Sequence, residues 1–381
     1  MEHFEAVETP LYLKLTQYLR ERILKGELAA GSKLPSEREL SDETGLSRVT
    51  VNKALTSLVD EGWLFRRRGL GTYVATEAER ARVMASGKTK NIGVVYAKGV
   101  LYSGEPFYSR VLQGIEREAN HEDHHVLLTT VDSESRSHSS FLSALRSRKI
   151  DGAIVIGMIP SDTILELEQT GVPFVLIDFD IPRTPYARVL IDNRHGIDQV
   201  VDYLYGMGHR KVGFIGAEMD LPSIAERAET FERALAQRSM PQFDGWRTKG
   251  NLTSPSGFQA CQHIMEQSQR PSAIISVNDE MAIGAMKYCQ QAGIELPKDL
   301  SLVGFDNIEW SQHCYPALTT VNVPKEKMGK HAVMILLDMI QQTPASSPQE
   351  QAEAGPCVLV KTKLIIRDSV MRWSEPEKTG R

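Results

Sequence analysis

From residue 92 onward the chain alternates short apolar runs with longer stretches in which apolar residues recur every three or four positions. The runs are residues 92–97 (IGVVYA), 124–131 (HHVLLTTV), 151–157 (DGAIVIG), 173–179 (PFVLIDF), 211–216 (KVGFIG), 272–278 (SAIISVN) and 301–306 (SLVGFD). Uninterrupted apolar runs of this length, separated by helical patterns, predict parallel strands covered on both faces by crossover helices. Seven such runs are too many for one small sheet, so the expected body is α/β, with two doubly wound lobes.

Before residue 90 the rhythm differs. Leu11, Leu15, Tyr18, Leu19 and Ile23 stand at helical spacing and predict an amphipathic helix over residues 11–26. Ser36 followed by Glu39 has the form of a capping box opening a second helix. Gly45 supplies a turn, and Ser47 caps a third helix whose apolar side is Val51, Ala54, Leu55 and Leu58. Trp63-Leu64 and Thr72-Tyr73-Val74 then flank RRRGLG, the pattern of a β-hairpin with a basic, glycine-bearing tip. Three helices and a hairpin make an α+β winged helix-turn-helix. The polar stretch at residues 75–90 (ATEAERARVMASGKTK) has no strand-like run. The expected division is therefore a head at 9–75, a linker at 76–90 and a two-lobed body at 91–371.

The outward side of the third helix offers Arg48, Thr50, Asn52 and Lys53, with Ser47 at its start. Arg can fork onto guanine, Asn onto adenine, and hydroxyls onto phosphate, which is what a major-groove reader needs. Arg66, Arg67, Arg68 and Gly69 at the hairpin tip can approach a phosphate backbone or minor groove, because glycine removes side-chain bulk. A run of three arginines is by itself usually a solvated surface; its place directly after a helix-turn-helix is what turns the reading toward duplex DNA.

Composition limits the alternatives. A net charge of −5 over 381 residues does not suit a protein that coats nucleic acid indiscriminately, but leaves room for a local basic patch. None of the four cysteines lies in a CxxC, and no His/Cys cluster has zinc spacing, so neither a metal nor a cofactor is expected. His195, His209 and His313 read as loop or helix-end residues. The first residues lack the features of a signal peptide and no apolar run approaches 18 residues, so the expected location is the cytoplasm, away from membranes.

Residues 9–74, with LPSERELSDETGLSRVTVNKALTSLVDEGWLFRRRGLGTYV, closely resemble the DNA-binding domain of the GntR family. The resemblance implies that Arg38, Ser47, Arg48, Thr50 and Gly69 touch DNA. Asn52 departs from it, since Arg is usual there, and this bears on the operator sequence rather than on DNA binding.

The body resembles the effector domain of the LacI/GalR family, of the periplasmic-binding-protein type, from about residue 91 to 368. FYSRVLQGIEREA, VLIDNRHGIDQVVDYLYGMGHRKVGFIG, ERAETFERAL, PSAIISVNDEMAIGAMKYCQQAGIELPKDLSLVGFDN and PALTTVNVPKEKMGKHA carry the likeness. Independently of it, Asn278, Asp279 and Asp306 end strands while Phe107 and Tyr108 follow one, and ligands in open α/β sheets bind at such strand ends. The resemblance implies that Asn278, Asp306 and Arg227 contact ligand, that Phe107, Tyr108 and Ser223 occupy pocket positions of the purine-responsive branch, and that Asp162 lies near the site. Asp279 is expected to cap a helix beginning at Glu280. Leu252 stands where many members carry an aromatic platform.

The combined expectation is a ligand-responsive regulator: a homodimer on palindromic operator DNA, repressing a carbohydrate-utilisation operon and released by a sugar inducer. A purine- or nucleoside-sensing repressor using its ligand as corepressor is the alternative. A carbohydrate-acting enzyme is a third class, weakened because no P-loop, nucleophile elbow or HExxH is present. The chain is expected to cross between lobes near residues 192–193, near 319–323 and again after the polar insertion at 343–355.

Overall fold

At the amino-terminal end three helices and a hairpin close over one apolar cluster, in a computed structural model. That structure describes residues 11–60, 62–67, 70–76, 89–97, 106–131, 149–157, 159–181, 184–217, 222–341 and 355–374. Helix α1 (Leu11–Leu24) contributes Leu15, Leu19 and Ile23 to the cluster. Leu11 and Tyr18, expected on the same face, are exposed. The buried stripe is offset from the one the spacing suggests: Thr16 is buried and Tyr12 packs against the cluster, while Tyr18 lies beside the Arg22 guanidinium, 5.6 Å from its ring centre. Helix α2 (Glu37–Thr44) has the expected capping box: Glu39 N–H donates to Ser36 Oγ at 3.2 Å and Ser36 N–H to Glu39 Oε2 at 2.7 Å. Gly45 ends it at φ 68°, a left-handed conformation glycine adopts without a Cβ clash. Helix α3 (Arg48–Asp60) starts with Thr50 N–H donating to Ser47 Oγ at 3.2 Å and buries Val51, Ala54, Leu55 and Leu58. Strands β1 (Leu64–Arg67) and β2 (Gly71–Val74) pair antiparallel, Leu64 opposite Val74, and Lys33 bridges to Tyr73 on the other side.

The chain divides into two compact units, residues 1–93 with 135–152 and 161–172, and residues 94–134 with 153–160 and 173–381. The second carries nearly all of two six-stranded sheets. Along the chain run β3 (Asn91–Ala97), α4 (Pro106–His121), β4 (His125–Val131), β5 (Gly152–Ile156), α5 (Ser161–Gln169), β6 (Phe174–Ile177), β7 (Ala187–Ile191) and α6 (Asn193–Gly206). Then come β8 (Val212–Ala217), α7 (Pro222–Gln237), β9 (Arg247–Gly250), α8 (Ser254–Met265), β10 (Ala273–Ser276), α9 (Asp279–Ala292) and β11 (Ser301–Asp306). The chain continues through β12 (Thr319–Asn322), α10 (Lys325–Gln341), β13 (Cys357–Val360) and β14 (Lys363–Ile365). The first lobe's sheet has the order β13-β7-β6-β5-β3-β4 and the second β14-β12-β11-β10-β8-β9. The central strands β5, β6, β10 and β11 are buried at every residue, as sheets covered on both faces require.

All seven apolar runs are strands. The five others, β7, β9, β12, β13 and β14, lie outside those runs: β7 alternates buried and half-buried residues, β9 is the polar edge RTKG, and β13 is the short apolar edge CVLV. Passage from the first sheet to the second falls at residues 192–193, back at 323–324, and again at 361–362. Helix α10 returns to the first lobe and packs backbone to backbone on α4: a Cβ on Gly114 would lie 2.1 Å from Glu326 O, and one on Gly329 2.2 Å from Val111 O. Among the described residues no helix is long and apolar enough to cross a membrane.

Candidate functional site

The carboxyl ends of β6 and β11 both leave the sheet through left-handed backbone. Asp178 has φ 61°, Asp306 φ 105° and Asn307 φ 53°. Such conformations strain non-glycine residues and persist where the surrounding structure enforces them. They place two carboxyl groups, one from each lobe, beside one small cavity of about 40 Å³. The first turn of α4 adds Phe107 and Tyr108, and α7 adds Ser223, Ile224 and Arg227. Leu252 and Asn278 complete the wall. Six of the seven residues expected to meet ligand thus line a single cavity. The seventh, Asp162, is exposed in the first turn of α5 and does not line it.

Arg227 is 3% exposed and held through Nε and Nη1. Its Nε donates to Asn193 Oδ1 at 2.8 Å and Nη1 to Val277 O at 2.7 Å; Nη1 also stands 3.4 Å from Asp306 Oδ1. The guanidinium lies over the Phe305 ring at 3.8 Å. The pair it makes with Asp306 is therefore buried. Asn193 in turn donates to Ser223 Oγ at 2.9 Å and Glu226 Oε2 at 3.2 Å. Tyr108 O–H donates to Asp178 Oδ2 at 3.0 Å, while Asp178 Oδ1 is buried with no hydrogen-bond partner among the described residues. Asn278 caps α9, accepting from Met281 N–H at 2.9 Å, and its amide donates to Leu252 O at 3.0 Å.

This corrects the expectation for Asp279. Asn278, not Asp279, is the cap, and the helix begins at Asp279. Asp279 is fully buried inside the second lobe, where it accepts from Thr320 Oγ1 at 2.5 Å and Ile308 N–H at 2.8 Å. Its carboxyl ties β12 and the loop after β11 to α9, and it does not line the cavity.

Burial dominates the electrostatics. It pushes the Asp279 carboxyl up to about 8, helped by the neighbouring Asp306 charge. Burial pushes Asp306 up to about 6 against the opposing pull of Arg227 and Lys325. Asp178 is raised for the same reason, against Arg227 and the hydroxyls of Tyr108 and Ser223. Lys325 is lowered by burial. Its ammonium donates to the carbonyls of Asp306, Asn307 (3.2 Å) and Val323 (3.3 Å), and so fastens the loop that carries Asp306 to the start of α10. Sequence reasoning missed Asp178 and Lys325. Asp178 carried the same signal as Asp306, an acid at the end of an apolar run. Lys325 carried none, because its partners are carbonyls that any residue supplies.

A second, larger cavity of about 320 Å³ adjoins the first and shares Asp178 and Ser223 with it. Of the three histidines set aside above, His209 is fully buried at the end of α6, between Ser272 and the Met371 carbonyl.

In the head, Arg48 and Lys53 are exposed on α3, and Thr50 and Asn52 are half-buried. Glu37 organises this face: Asn52 Nδ2 donates to Glu37 Oε1 at 2.6 Å, and Arg66 Nη2 stands 3.5 Å from the same oxygen. Lys53 lies over the Tyr12 ring at 3.9 Å. Arg38 is exposed on α2, 4.0 Å from Asp42. Arg67 lies beside the stacked rings of Phe65 and Tyr73. Arg68 and Gly69 lie outside the described residues, as does most of the expected linker.

Comparison with known proteins bears on both parts. Residues 11–74 match the family model described as bacterial regulatory proteins, gntR family, and residues 201–370 match that of the periplasmic binding protein-like domain. The chain is 30% identical over 266 residues to the HTH-type transcriptional repressor CytR of Escherichia coli K12, across 70% of this chain and 76% of the relative. It is 27% identical over 372 residues to the arabinose metabolism transcriptional repressor of Geobacillus stearothermophilus, across 94% of this chain and 97% of the relative. Among solved structures, a regulatory protein of the LacI family from Chloroflexus aggregans superposes with a TM-score of 0.65 at 26% identity, covering 74% of this chain and 99% of that one.

Proposed function

This chain belongs to the LacI/GalR family of transcriptional repressors through its body and carries a gntR-family head, and from that premise we propose that it represses a carbohydrate-utilisation operon and releases its operator when a sugar enters the inter-lobe cleft. The observation that carries the ligand reading is the cavity between the lobes. Its carboxyl groups, amide and guanidinium suit hydroxyls, and Phe107, Tyr108 and Leu252 suit C–H surface. The likeness to the arabinose metabolism repressor supports it, because that match spans head and body alike.

The chain is read as a head at 9–75, a linker at 76–90 and a sensor at 91–371, working in the cytoplasm as a homodimer on a palindromic operator. In this reading Arg38, Ser47, Arg48, Thr50, Asn52 and Lys53 face the major groove, with Arg66 to Gly69 on the backbone or minor groove. The relatives are transcriptional regulators, and sensing rather than turnover fits the Asp279 carboxyl, the neighbour of Asp306, being committed to Thr320 and Ile308. The purine or nucleoside reading loses support at Leu252, which offers no ring for a base to stack on.

The test uses the full chain and a labelled operator duplex. A cognate sugar lowers operator affinity in an anisotropy titration. Asp306→Ala leaves operator affinity within about twofold and removes the response, because the acceptor for ligand hydroxyls is lost while the head is untouched. An Asp306→Ala protein that still releases DNA at wild-type sugar concentrations sinks the assignment of this site. Tighter operator binding with sugar makes the ligand a corepressor.

A further inference from the structure

The groups that recognise ligand surround too little space for one. The inner cavity holds about 40 Å³, well below the range of about 300–1,000 Å³ typical of small-molecule sites. The adjoining cavity of about 320 Å³ reaches that range. The two meet at Asp178 and Ser223. Asp178 Oδ2 is taken by Tyr108, whereas Oδ1 is buried and has no hydrogen-bond partner among the described residues.

The outer cavity has its own two-sided chemistry. Phe179, Leu190 and Ile191 offer apolar surface, while Asn193, Glu226 and Glu229 offer polar atoms. Its charges are already largely matched. Asp180 pairs with Arg188 at 3.2 Å, and Glu226 with Arg194 at 2.8 Å. Arg227, the cation of the inner cavity, is held by Asn193, Val277 and Asp306. Asp178 and Asp306 are left facing the ligand space. A phosphate or carboxylate entering here would meet five carboxyl groups, Asp178, Asp180, Glu226, Glu229 and Asp306, against the guanidiniums of Arg194 and Arg227, each of which already stands beside a carboxylate.

We propose that the effector is an uncharged two-unit glycoside, one unit gripped by the inner groups and the second seated in the outer cavity beyond Asp178 and Ser223. This rests on the sugar reading above and adds a size and a charge to it. The inner unit enters as the side chains around Arg227 and Asp306 part; the outer unit finds its space already formed and adds affinity without that rearrangement.

Isothermal titration and thermal shift on the full chain test it. The probes are D-glucose, D-galactose, L-arabinose and D-ribose; cellobiose, maltose, lactose and melibiose; their p-nitrophenyl monoglycosides; and glucose 6-phosphate. At least one two-unit compound binds tenfold or more tightly than its own monosaccharide, and glucose 6-phosphate binds no better than glucose. Ala225→Phe, at an exposed position lining the outer cavity, reduces the two-unit ligand to the monosaccharide's affinity and leaves the monosaccharide unchanged. Ala225→Leu serves in its place if the unliganded melting temperature falls. A monosaccharide that binds as tightly as every two-unit compound, unaffected by either variant, overturns the outer subsite and leaves the sugar reading standing. Tight binding of glucose 6-phosphate overturns the charge assignment. No shift with any saccharide overturns the sugar reading itself, and the proposal with it.

Discussion

Asp279 is held by two hydrogen bonds and surrounded by protein, and it titrates against that surrounding. Its carboxyl is raised from the ordinary 3.8 to about 8 by burial and by Asp306. A group whose folded value lies above its unfolded one stabilises the fold fully below the unfolded value, and the contribution is lost as pH rises through the folded one. Asp306, raised to about 6, acts in the same direction. The melting temperature should therefore fall between about pH 5 and pH 9. Asp279→Asn keeps an acceptor for Ile308 N–H and gives Thr320 a donor, yet cannot ionise. Its melting temperature should decline less over the upper half of that range, by several degrees, given roughly 2–4 °C per kcal/mol for domains of this size. Parallel curves for the two proteins would mean that Asp279 ionises without penalty.

At the scale of elements, the recognition helix is tied to the helix before it through one carboxylate. Glu37 on α2 holds Asn52 of α3 and Arg66 of β1, so it orients a candidate base reader and restrains a candidate phosphate contact. Glu37→Ala removes this tether from both, leaving Arg66 its 3.1 Å bond to Thr56 Oγ1, and takes a negative charge from that face. Affinity for random-sequence duplex should rise while discrimination falls, and the operator-to-random ratio should drop about tenfold, which is about 1.4 kcal/mol. Arg48→Ala, at an exposed position with no such tether, should cost about 1–3 kcal/mol at the operator and relax base preference. Competition titrations at fixed salt separate the two. An Arg48→Ala protein with unchanged specificity would move base reading to another part of the helix.

Across the sensor, three chain crossings converge near the ligand groups. Thr362 Oγ1 donates to the Asp192 carbonyl at 3.0 Å, joining the third crossing to the first. Gly196, on the first turn after that crossing, has no room for a side chain: a Cβ would lie 2.8 Å from the Phe305 ring and 3.1 Å from Thr362 Oγ1. Phe305 supports Arg227 and precedes Asp306. Gly196→Ala should push that ring and lower stability by about 1–3 kcal/mol, the usual cost of overpacking. It should also weaken sugar binding several-fold while operator affinity without sugar stays as in the wild type. Unaltered sugar affinity would detach the hinge from the ligand groups. Lobe movement can bias DNA binding only as far as the ligand's affinities for the two forms differ.

Local chemistry is legible without a structure. The capping box at Ser36 and Glu39, the left-handed stop at Gly45, the buried row of α3 and all seven apolar strands follow from spacing and residue type, because those interactions lie within a few positions of one another. Convergence of Phe107, Tyr108, Asn278 and Asp306 on one cavity was legible through the rule that strand ends meet ligands, which also pointed to Asp279, while Ser223 and Arg227 came from family resemblance alone. The remainder depends on partners far away in the chain. Edge strands such as β9 and β14 are defined by the neighbour they hydrogen-bond, not by a pattern of their own. Whether Asn278 or Asp279 caps α9 was decided by Thr320 and Ile308, which lie some thirty to forty residues on and claim the carboxylate. The outer cavity exists only where elements of both lobes face each other, and Arg227 is held within the second lobe by Asn193, Val277 and Asp306, which lie far apart in the chain. Periodicity records which side of an element is apolar; burial, charge pairing and free volume belong to the assembled pair of lobes, and only tertiary structure sets them.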